Sequence, residues 1–402
     1  MTPKSHGKQI DAGAYYSGID ALRFASALMV AVFHLLFWSW AGIYSTIDQT
    51  NRIFAGAAQF PSAVRLTWFG WVGVEVFFVI SGFVITNSAI RASPMQFLTG
   101  RMLRLYPAVW ACATATFAAL YLIAGDPLSI LLGPYVKSLL LLPRARWIDG
   151  VYWTLAVEIS FYALVFCILL LKRFSVIHRA AWVLTIFSGV FNASNLAVDL
   201  GAIPMSDFVL FLSSQVVVLV LLLLPHGCLF ALGIWLWLAA NNRMTMARWV
   251  GLAVALVGSG TEVYARALEF VSFIPAATGQ SPLVPVAILA TATLVIAIST
   301  RGGIFHAASG RTRTFLRYIG LVTYPLYLIH NLVGAGISRL LIGAGLNPWL
   351  AVFLVLGGLL GLCWLFCWGA EPAIRNLLRQ ILTNFEDRML RPRRALGFLF
   401  TN

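Results

Sequence analysis

Charged residues are scarce in this sequence, and acidic residues are scarcer still. Of its 402 residues 10% are charged, and only 14 are Asp or Glu. Hydrophobic residues make up 60%, and the mean hydropathy is +0.87. So little polar surface cannot cover a water-soluble globule. The composition therefore excludes an ordinary soluble enzyme and predicts a membrane protein.

Cysteine is also rare, with five residues in the chain. A disulfide framework or a zinc site usually shows cysteines at paired spacings. Here they lie singly inside apolar stretches, and neither kind of site is predicted, nor any other metal site. The five are Cys112, Cys167, Cys228, Cys363 and Cys367.

Basic residues outnumber acidic ones and give a formal net charge of +14. Nucleic-acid-binding proteins gather basic residues on a polar face. In this sequence they are scattered between long apolar runs. Because Lys and Arg collect in the cytoplasmic loops of membrane proteins, we interpret the excess as a topology signal and predict no nucleic-acid partner.

Apolar segments of about 20 residues, the length that spans a bilayer, recur along the chain. We predict an all-α, polytopic membrane helix bundle of about ten transmembrane helices with both termini cytoplasmic. The segment 207–240 is long enough to cross twice, but a single crossing places most Lys and Arg on the side of the termini. An odd number of crossings is the alternative. The predicted spans are 20–40, 66–88, 105–124, 151–171, 180–199, 207–240, 247–262, 283–299, 315–338 and 347–370.

The chain divides into two predicted parts. Residues 1–370 form the transmembrane domain, and residues 371–402 form a basic cytoplasmic tail. The tail has an apolar face and several arginines, so it either lies along the inner leaflet or is a simple basic tail. Because no loop is long enough for a separate soluble catalytic domain, any chemistry must use intramembrane residues and short loops.

Five ionisable residues fall inside the predicted spans, where a charged side chain costs about 2.5–3.5 kcal/mol. They are Arg23, His34, Glu75, Glu158 and His330. Arg23 and His34 share one face of a helix at different depths. His34, Glu158 and His330 are predicted to lie at similar depth, and a histidine oriented by a carboxylate can take a proton from a hydroxyl. We predict a buried acid–base site; for each residue taken alone, a helix-packing hydrogen bond is the alternative.

Two arginines, Arg101 and Arg104, are spaced i and i+3 at the predicted cytoplasmic end of a span. They project from one helix face, and guanidinium groups suit phosphate oxygens. A molecule with a diphosphate, such as a coenzyme A thioester, would fit them. The alternative is a pair of positive-inside anchors.

Small residues point to helix packing at two places. Ser81 and Gly82 allow a close helix approach at least as readily as they serve chemistry. The GxxxG spacing of Gly357 and Gly361 also predicts packing.

Six sequence segments resemble, in order, the successive signatures of the acyltransferase-3 family of integral-membrane acyltransferases. The resemblance covers nearly the whole chain, whereas any one segment alone would be weak. The segments are SGIDALRFASALMVAVFH (17–34), WFGWVGVEVFFVISGFVIT (68–86), RMLRLYP (101–107), WTLAVEISFY (153–162), TYPLYLIHN (323–331) and WGAEP (368–372).

This resemblance implies a ten-helix enzyme of the bacterial cytoplasmic (inner) membrane. Such enzymes transfer an acyl group, commonly acetyl from acetyl-CoA, to a hydroxyl of a surface carbohydrate such as an exopolysaccharide or lipopolysaccharide unit. Arg23 and His34 match the family's arginine and essential histidine, and Arg101 and Arg104 match its donor-associated RxxR motif. Glu158 matches a family carboxylate. Glu75 stands where many members have aspartate, so its reach differs by one methylene.

We therefore predict an O-acetyltransferase with acyl-CoA as donor substrate and no tightly bound cofactor. His34 is the predicted general base, partnered by Glu158, and acyl transfer is either direct or through an acyl-His34. Arg23 either steadies the donor or pairs with Glu75. The predicted partners are acyl-CoA, a free or lipid-linked carbohydrate acceptor and membrane lipids. The remaining predicted roles are donor binding by Arg23, Arg101 and Arg104, and substrate binding by Glu75, Trp153, Tyr162 and His330.

Two other classes of protein compete with this prediction. A transporter or flippase of a lipid-linked glycan could use the buried His, Glu and Arg as a proton path. A membrane scaffold would leave the intramembrane ionisable residues unexplained. Aromatic residues such as Trp153 suit sugar stacking, and an interfacial aromatic belt explains them equally well.

Overall fold

The computed structural model describes residues 16–41, 49–143, 146–204, 216–300 and 310–397, and their regular secondary structure is entirely helical. We number the main helices in chain order; short helical turns connect several of them. They are α1 (Ser17–Phe33), α2 (Gln49–Phe54), α3 (Val72–Ala89), α4 (Pro94–Leu122), α5 (Leu128–Leu139), α6 (Trp153–Leu170), α7 (Ile177–Asp199), α8 (Val216–Leu221), α9 (Gly227–Ala240), α10 (Met246–Phe273), α11 (Leu283–Ser299), α12 (Gly310–Ile329), α13 (Leu332–Gly343), α14 (Pro348–Leu365) and α15 (Glu371–Gly397).

Within the described ranges, six helical segments are long and apolar enough to cross a membrane, and a seventh is present if α12 and α13, bent by 73°, form one span. This confirms the predicted class, a multi-pass helical membrane bundle. The six coincide with predicted spans: Ser17–Ala41, Pro61–Ala89, Pro94–Leu122, Gly150–Leu170, Phe174–Asp199 and Pro348–Asn384.

The predicted count of ten is not reproduced by these criteria. The predicted spans at 227–240 and 283–299 correspond to the shorter apolar helices α9 and α11. Helix α10 is long but carries Glu262, Arg266 and Glu269 in its second half. Much of the first part of segment 207–240 lies outside the described residues, so its single crossing, the ten spans and the cytoplasmic termini stay predictions.

Helices α3 and α9 cross in direct backbone contact at the centre of the bundle. A Cβ atom on Gly82 would overlap the carbonyl oxygen of Phe230, and one on Gly233 would overlap that of Val79. The close helix approach predicted at Gly82 is confirmed. Among the described residues, no atom of a neighbouring element lies within 4 Å of a Cβ built on Gly357 or Gly361, so the packing role predicted for these two glycines is wrong.

Gly233→Ala is expected to destabilise the protein by about 1–3 kcal/mol, the usual cost of overpacking a close-packed interior. The added methyl group would meet backbone atoms of α3, which cannot rotate away. Thermal unfolding of the detergent-purified protein measures the effect. Gly357→Ala is the matched control, and equal melting temperatures for the two variants would contradict the crossing.

Irregular helix ends position the residues of interest. After α1 the helix widens into a π-helical turn at His34–Trp38, so the wider turn begins at His34 itself. His330 lies in the break between α12 and α13. Buried Asp149 anchors that break by accepting hydrogen bonds from Asn331 Nδ2 at 2.8 Å and from the Leu332 amide at 3.3 Å. Such irregularities are frequent at functional sites.

Helix α4 carries Arg101 and Arg104, and its start is encoded locally. Ser93 caps the helix in a reciprocal capping box with Gln96, and Pro94 occupies the first turn, where a missing amide hydrogen does no harm. The two arginines therefore fall in the second and third turns. Helix α15, the predicted tail, packs against α4 on the same side of the bundle.

Candidate active site

Two histidines from distant parts of the chain form a hydrogen-bonded pair. His34 Nδ1 lies 3.1 Å from His330 Nε2, and the ring centroids are 4.8 Å apart. His330 is fully buried, whereas His34 is partly exposed. His330 therefore contacts His34 from the buried side. Its predicted substrate-binding role stays a prediction.

The hydrogen-bond partners fix which nitrogen of each ring carries a hydrogen. His330 Nδ1 lies 2.8 Å from the Tyr327 carbonyl oxygen, which can only accept, so this nitrogen is the donor. The neutral ring then offers Nε2 to His34 as an acceptor. His34 Nδ1 also lies 2.9 Å from the Val30 carbonyl oxygen. Because both neighbours accept, His34 carries its hydrogen on Nδ1 and its lone pair on Nε2, the form that a general base requires.

A cavity of about 720 Å³ opens beside His34, and we call it the histidine cavity. Its volume is in the range of small-molecule sites. Trp153 lies in its wall, as its predicted substrate-binding role requires, and two arginines, Arg146 and Arg266, are the charged groups of the described lining. The other lining residues are Phe33, Trp38, Gln49, Thr50, Trp71, Val74, Trp147, Gly150, Val151, Phe270, Tyr327 and Asn331.

Glu158 lines a second, narrower cavity of about 70 Å³, which we call the glutamate cavity. Its carboxylate accepts hydrogen bonds from Tyr162 Oη at 2.7 Å and Ser81 Oγ at 3.0 Å. Glu158 and His34 line different cavities, and His330 contacts His34 Nδ1, so the predicted pairing of Glu158 with His34 stays a prediction. Tyr162 is buried and donates its hydroxyl hydrogen to Glu158, and its predicted substrate-binding role stays a prediction.

Arg23 and Arg104 also line the glutamate cavity. Arg23 has Asp20 as its ion-pair partner, with Nη1 to Oδ1 at 3.4 Å. Of the two roles predicted for Arg23, pairing with Glu75 is therefore wrong, and donor binding stays a prediction. The glutamate cavity adjoins the histidine cavity, since Val74 and Tyr327 line both.

Four arginines surround a third cavity of about 340 Å³, the arginine mouth. Arg101 and Arg104 enter it from α4, and Arg375 and Arg379 enter it from α15. Arg104 lines both the mouth and the glutamate cavity. Arg101 donates to Ser88 Oγ at 3.2 Å, and its guanidinium lies 5.7 Å from the Tyr162 ring centroid. Shared lining residues thus connect the three cavities in series, from the arginines to His34.

Glu75 belongs to a buried ionic cluster whose other members the sequence did not single out. Glu75 Oε1 accepts a hydrogen bond from Arg266 Nη1 at 2.8 Å, and His226 Nδ1 lies 2.5 Å from Glu262 Oε1 and 3.8 Å from Glu75 Oε2. The Glu75 carboxylate is fully buried and paired with Arg266, and its predicted substrate-binding role stays a prediction. A signal was present: Glu262 and Arg266 are spaced i, i+4 on a largely apolar helix.

Glu75, His226 and Glu262 are residue types that also hold metals, and their ligand atoms lie within 4.8 Å of one another. Arg266 and His226, however, each engage an oxygen of these carboxylates. The cluster contains one cation, Arg266, and the carboxyl groups of Glu75 and Glu262. It has no net charge when one additional proton lies between His226 and Glu262, and a low-dielectric interior favours such neutrality. We assign the cluster as an ion-pair network that supports Arg266 in the cavity wall, between Trp71 and Trp153.

The fold and the site define a multi-pass helical membrane protein with a histidine pair between a large aromatic cavity and an arginine-lined entrance. The chain belongs to the acyltransferase-3 family, whose model, described as an acyltransferase domain, matches residues 16–368.

Two curated proteins are similar to parts of the chain. "Nodulation protein 10" of Rhizobium leguminosarum bv. viciae is 29% identical over 168 residues, which cover 36% of this chain and 42% of that protein. "Exopolysaccharide production protein ExoZ" of Rhizobium meliloti (strain 1021) is 34% identical over 140 residues, covering 32% and 41%. The matches thus span about two fifths of these relatives' length. No solved structure matches the chain significantly.

Proposed function

We propose that this protein is an O-acyltransferase of the bacterial cytoplasmic membrane that transfers an acyl group, acetyl foremost, from acyl-CoA to a hydroxyl of a surface carbohydrate. The observation that carries the proposal is the position of His34, whose ring lines the large cavity while an arginine-lined path leads to it from the other side. Family membership and a relative named for exopolysaccharide production support the acyl transfer and the carbohydrate acceptor.

His34 performs the proton transfer in this scheme. Its Nε2 takes the proton of the acceptor hydroxyl as the oxygen attacks the thioester carbonyl carbon. The new C–O bond forms, the C–S bond breaks, and the proton passes from His34 to the departing thiolate of CoA. His330 positions His34 and accepts the hydrogen bond from its Nδ1–H, a bond that strengthens while His34 is an imidazolium.

The histidine cavity holds the acceptor. Aromatic faces such as Trp38, Trp71 and Trp153 provide flat apolar surfaces against which sugar rings stack. Arg266 uses one donor group on Glu75, and the rest of its guanidinium fork is available to acceptor oxygens. The acceptor, whether free or lipid-linked, then presents its hydroxyl to His34 Nε2.

The donor occupies the path from the arginine mouth. Its phosphates bind Arg101, Arg104 and Arg23, because guanidinium forks pair with phosphate oxygens. The pantetheine arm runs through the glutamate cavity, which shares Arg104 with the arginine mouth and Val74 and Tyr327 with the histidine cavity. Arg23 and His34 are separated by about 16 Å along α1 at the rise of an α-helix, so the arm spans the distance between phosphate binding and proton transfer.

The double variant Arg101→Gln/Arg104→Gln is expected to raise KM for acetyl-CoA at least about tenfold, because charge-assisted hydrogen bonds to phosphate are lost. KM for the acceptor should stay unchanged. The assay measures transfer of labelled acetyl from acetyl-CoA to isolated exopolysaccharide fragments by the protein in vesicles. Arg173→Gln, which replaces an exposed arginine outside the mouth, is the matched control.

The same vesicles separate the proposed function from its rival. If wild-type protein forms no acetylated product but carries a fluorescent lipid-linked glycan across the bilayer, the protein is a flippase. An unchanged KM for acetyl-CoA in the double variant would remove Arg101 and Arg104 from the donor site.

A further inference from the structure

Helix α15 supplies half of the arginine mouth. Arg375 and Arg379 are spaced i, i+4, so they project from one face of the helix, and they line the same cavity as Arg101 and Arg104 of α4. The sequence predicted only a basic tail here. The structure instead packs α15 against α4 and brings two guanidinium pairs from separate helices to one cavity.

The segment WGAEP (368–372), which resembles a family signature, helps to position Arg375. Its acid, Glu371, begins α15, is largely buried and forms an ion pair with Arg375 one turn later. Leu378 is buried on the same helix. Arg375 is therefore held at the mouth rather than left free in solvent, while Arg379 is exposed at its rim.

The charge of the mouth calls for a ligand with several negative charges. Four guanidinium groups and one carboxylate, Glu371, belong to its described lining. Like charges so close together repel one another unless an anion lies between them. Acyl-CoA carries two separate anionic groups, the diphosphate next to the pantetheine arm and the 3′-phosphate on the ribose.

The order of the cavities matches the order of groups along acyl-CoA. Arg104 lines both the mouth and the glutamate cavity. Arg101 lines only the mouth, but its guanidinium lies 5.7 Å from the ring of Tyr162, the hydrogen-bond partner of Glu158, so the α4 pair lies on the side of the mouth next to the glutamate cavity, where the diphosphate follows the pantetheine arm. Arg375 and Arg379 line the mouth but not the glutamate cavity. The anionic group that remains for them is the 3′-phosphate, which lies farther from the thioester than the diphosphate.

We infer that Arg375 and Arg379 bind the 3′-phosphate of the acyl-CoA donor, which makes the C-terminal helix α15 a part of the donor site. This inference rests on the proposed function, because it takes acyl-CoA as the donor. Glu371 acts as a positioning residue that fixes the Arg375 guanidinium.

Comparing acetyl-CoA with 3′-dephospho-acetyl-CoA tests the inference directly. The wild-type protein in vesicles should prefer acetyl-CoA by roughly 10- to 100-fold in kcat/KM, the usual value of a charge-assisted contact. Arg375→Gln/Arg379→Gln should lose this preference by losing activity with acetyl-CoA, while its kcat/KM with the dephospho donor stays near the wild-type value. Arg375→Lys/Arg379→Lys should restore part of it.

Two controls make the outcome unambiguous. Arg379→Gln alone alters an exposed side chain, so it keeps the fold and should still reduce the preference. Arg101→Gln/Arg104→Gln should weaken both donors together, because the diphosphate is common to both. Equal use of the two donors by the wild type, or full preference in the Arg375→Gln/Arg379→Gln variant, would overturn the inference while leaving the proposed function intact. Absence of transfer from both donors would overturn the proposed function together with the inference.

Discussion

Replacing His34 with alanine is expected to lower kcat for acyl transfer by at least about 10²–10⁴-fold, the usual contribution of a general base. His34 is the one histidine in the described lining of the histidine cavity, which adjoins the glutamate cavity. The KM for acetyl-CoA should change little, because the phosphates bind about 16 Å away along α1. Labelled acetyl transfer by purified protein in vesicles measures both quantities.

Variants of His330 show whether the loss comes from the base or from its surroundings. His330→Leu removes one of the two acceptors near His34 Nδ1–H and leaves the Val30 carbonyl oxygen, so it should reduce kcat by a smaller factor, with KM for the donor unchanged. His330→Gln offers an amide oxygen to the same hydrogen and should recover part of the rate. If His34→Ala retains wild-type activity while remaining folded, His34 has no part in the chemistry and the proposed mechanism fails.

Arg266→Met is expected to cost about 3 kcal/mol of stability or more, because it leaves the buried Glu75 carboxylate without its ion-pair partner. The Glu75 side chain is 1% exposed, so water cannot replace the lost guanidinium. Glu75 Oε2 already has no hydrogen-bond partner among the described groups, so the carboxylate depends on its Oε1 contact with Arg266. Chemical or thermal unfolding of the detergent-purified protein measures the change.

The double variant Glu75→Gln/Arg266→Met should recover much of this loss, because it removes the unpaired charge as well as its partner. Arg146→Met is the matched control, since Arg146 lines the same cavity but is exposed. Equal stability of Arg266→Met and Arg146→Met would contradict the ion-pair network. Recovery in the double variant would separate the electrostatic cause from a simple loss of packing.

Under the proposed function, the arrangement of the cavities would let one membrane protein join two substrates that arrive from different directions. The polyanionic donor would bind in the arginine mouth, and the carbohydrate would bind in the aromatic histidine cavity. Only the uncharged pantetheine arm would pass the glutamate cavity between them, and the histidine pair would lie where the two substrates meet.

Several features of this site followed from the sequence alone. The apolar composition predicted a membrane protein, because a chain with 10% charged residues has too little polar surface to cover a water-soluble fold. The i, i+3 spacing of Arg101 and Arg104 predicted that they share one helix face, and both line the arginine mouth. The family signatures marked His34, which the structure places in the wall of the large cavity.

The partners of these residues could not be predicted in the same way. His34 pairs with His330 across 296 residues, and Glu75 pairs with Arg266 across 191. Glu158, the predicted partner of His34, accepts hydrogen bonds from Tyr162 and Ser81. Helical periodicity indicates which residues share a face of one helix, but it carries no information on how that helix is rotated against its neighbours.

The sequence by itself determined that this is a helical membrane protein, which family it resembles and which ionisable side chains lie inside apolar segments. Tertiary structure alone decided that His330 orients His34, that α15 completes the arginine mouth and that a four-residue ionic network supports Arg266. The physical reason is that hydropathy reports only how strongly a segment avoids water. Whether a side chain then meets lipid, a cavity or a charged partner depends on packing between helices, which close contacts such as Gly82 against Phe230 fix.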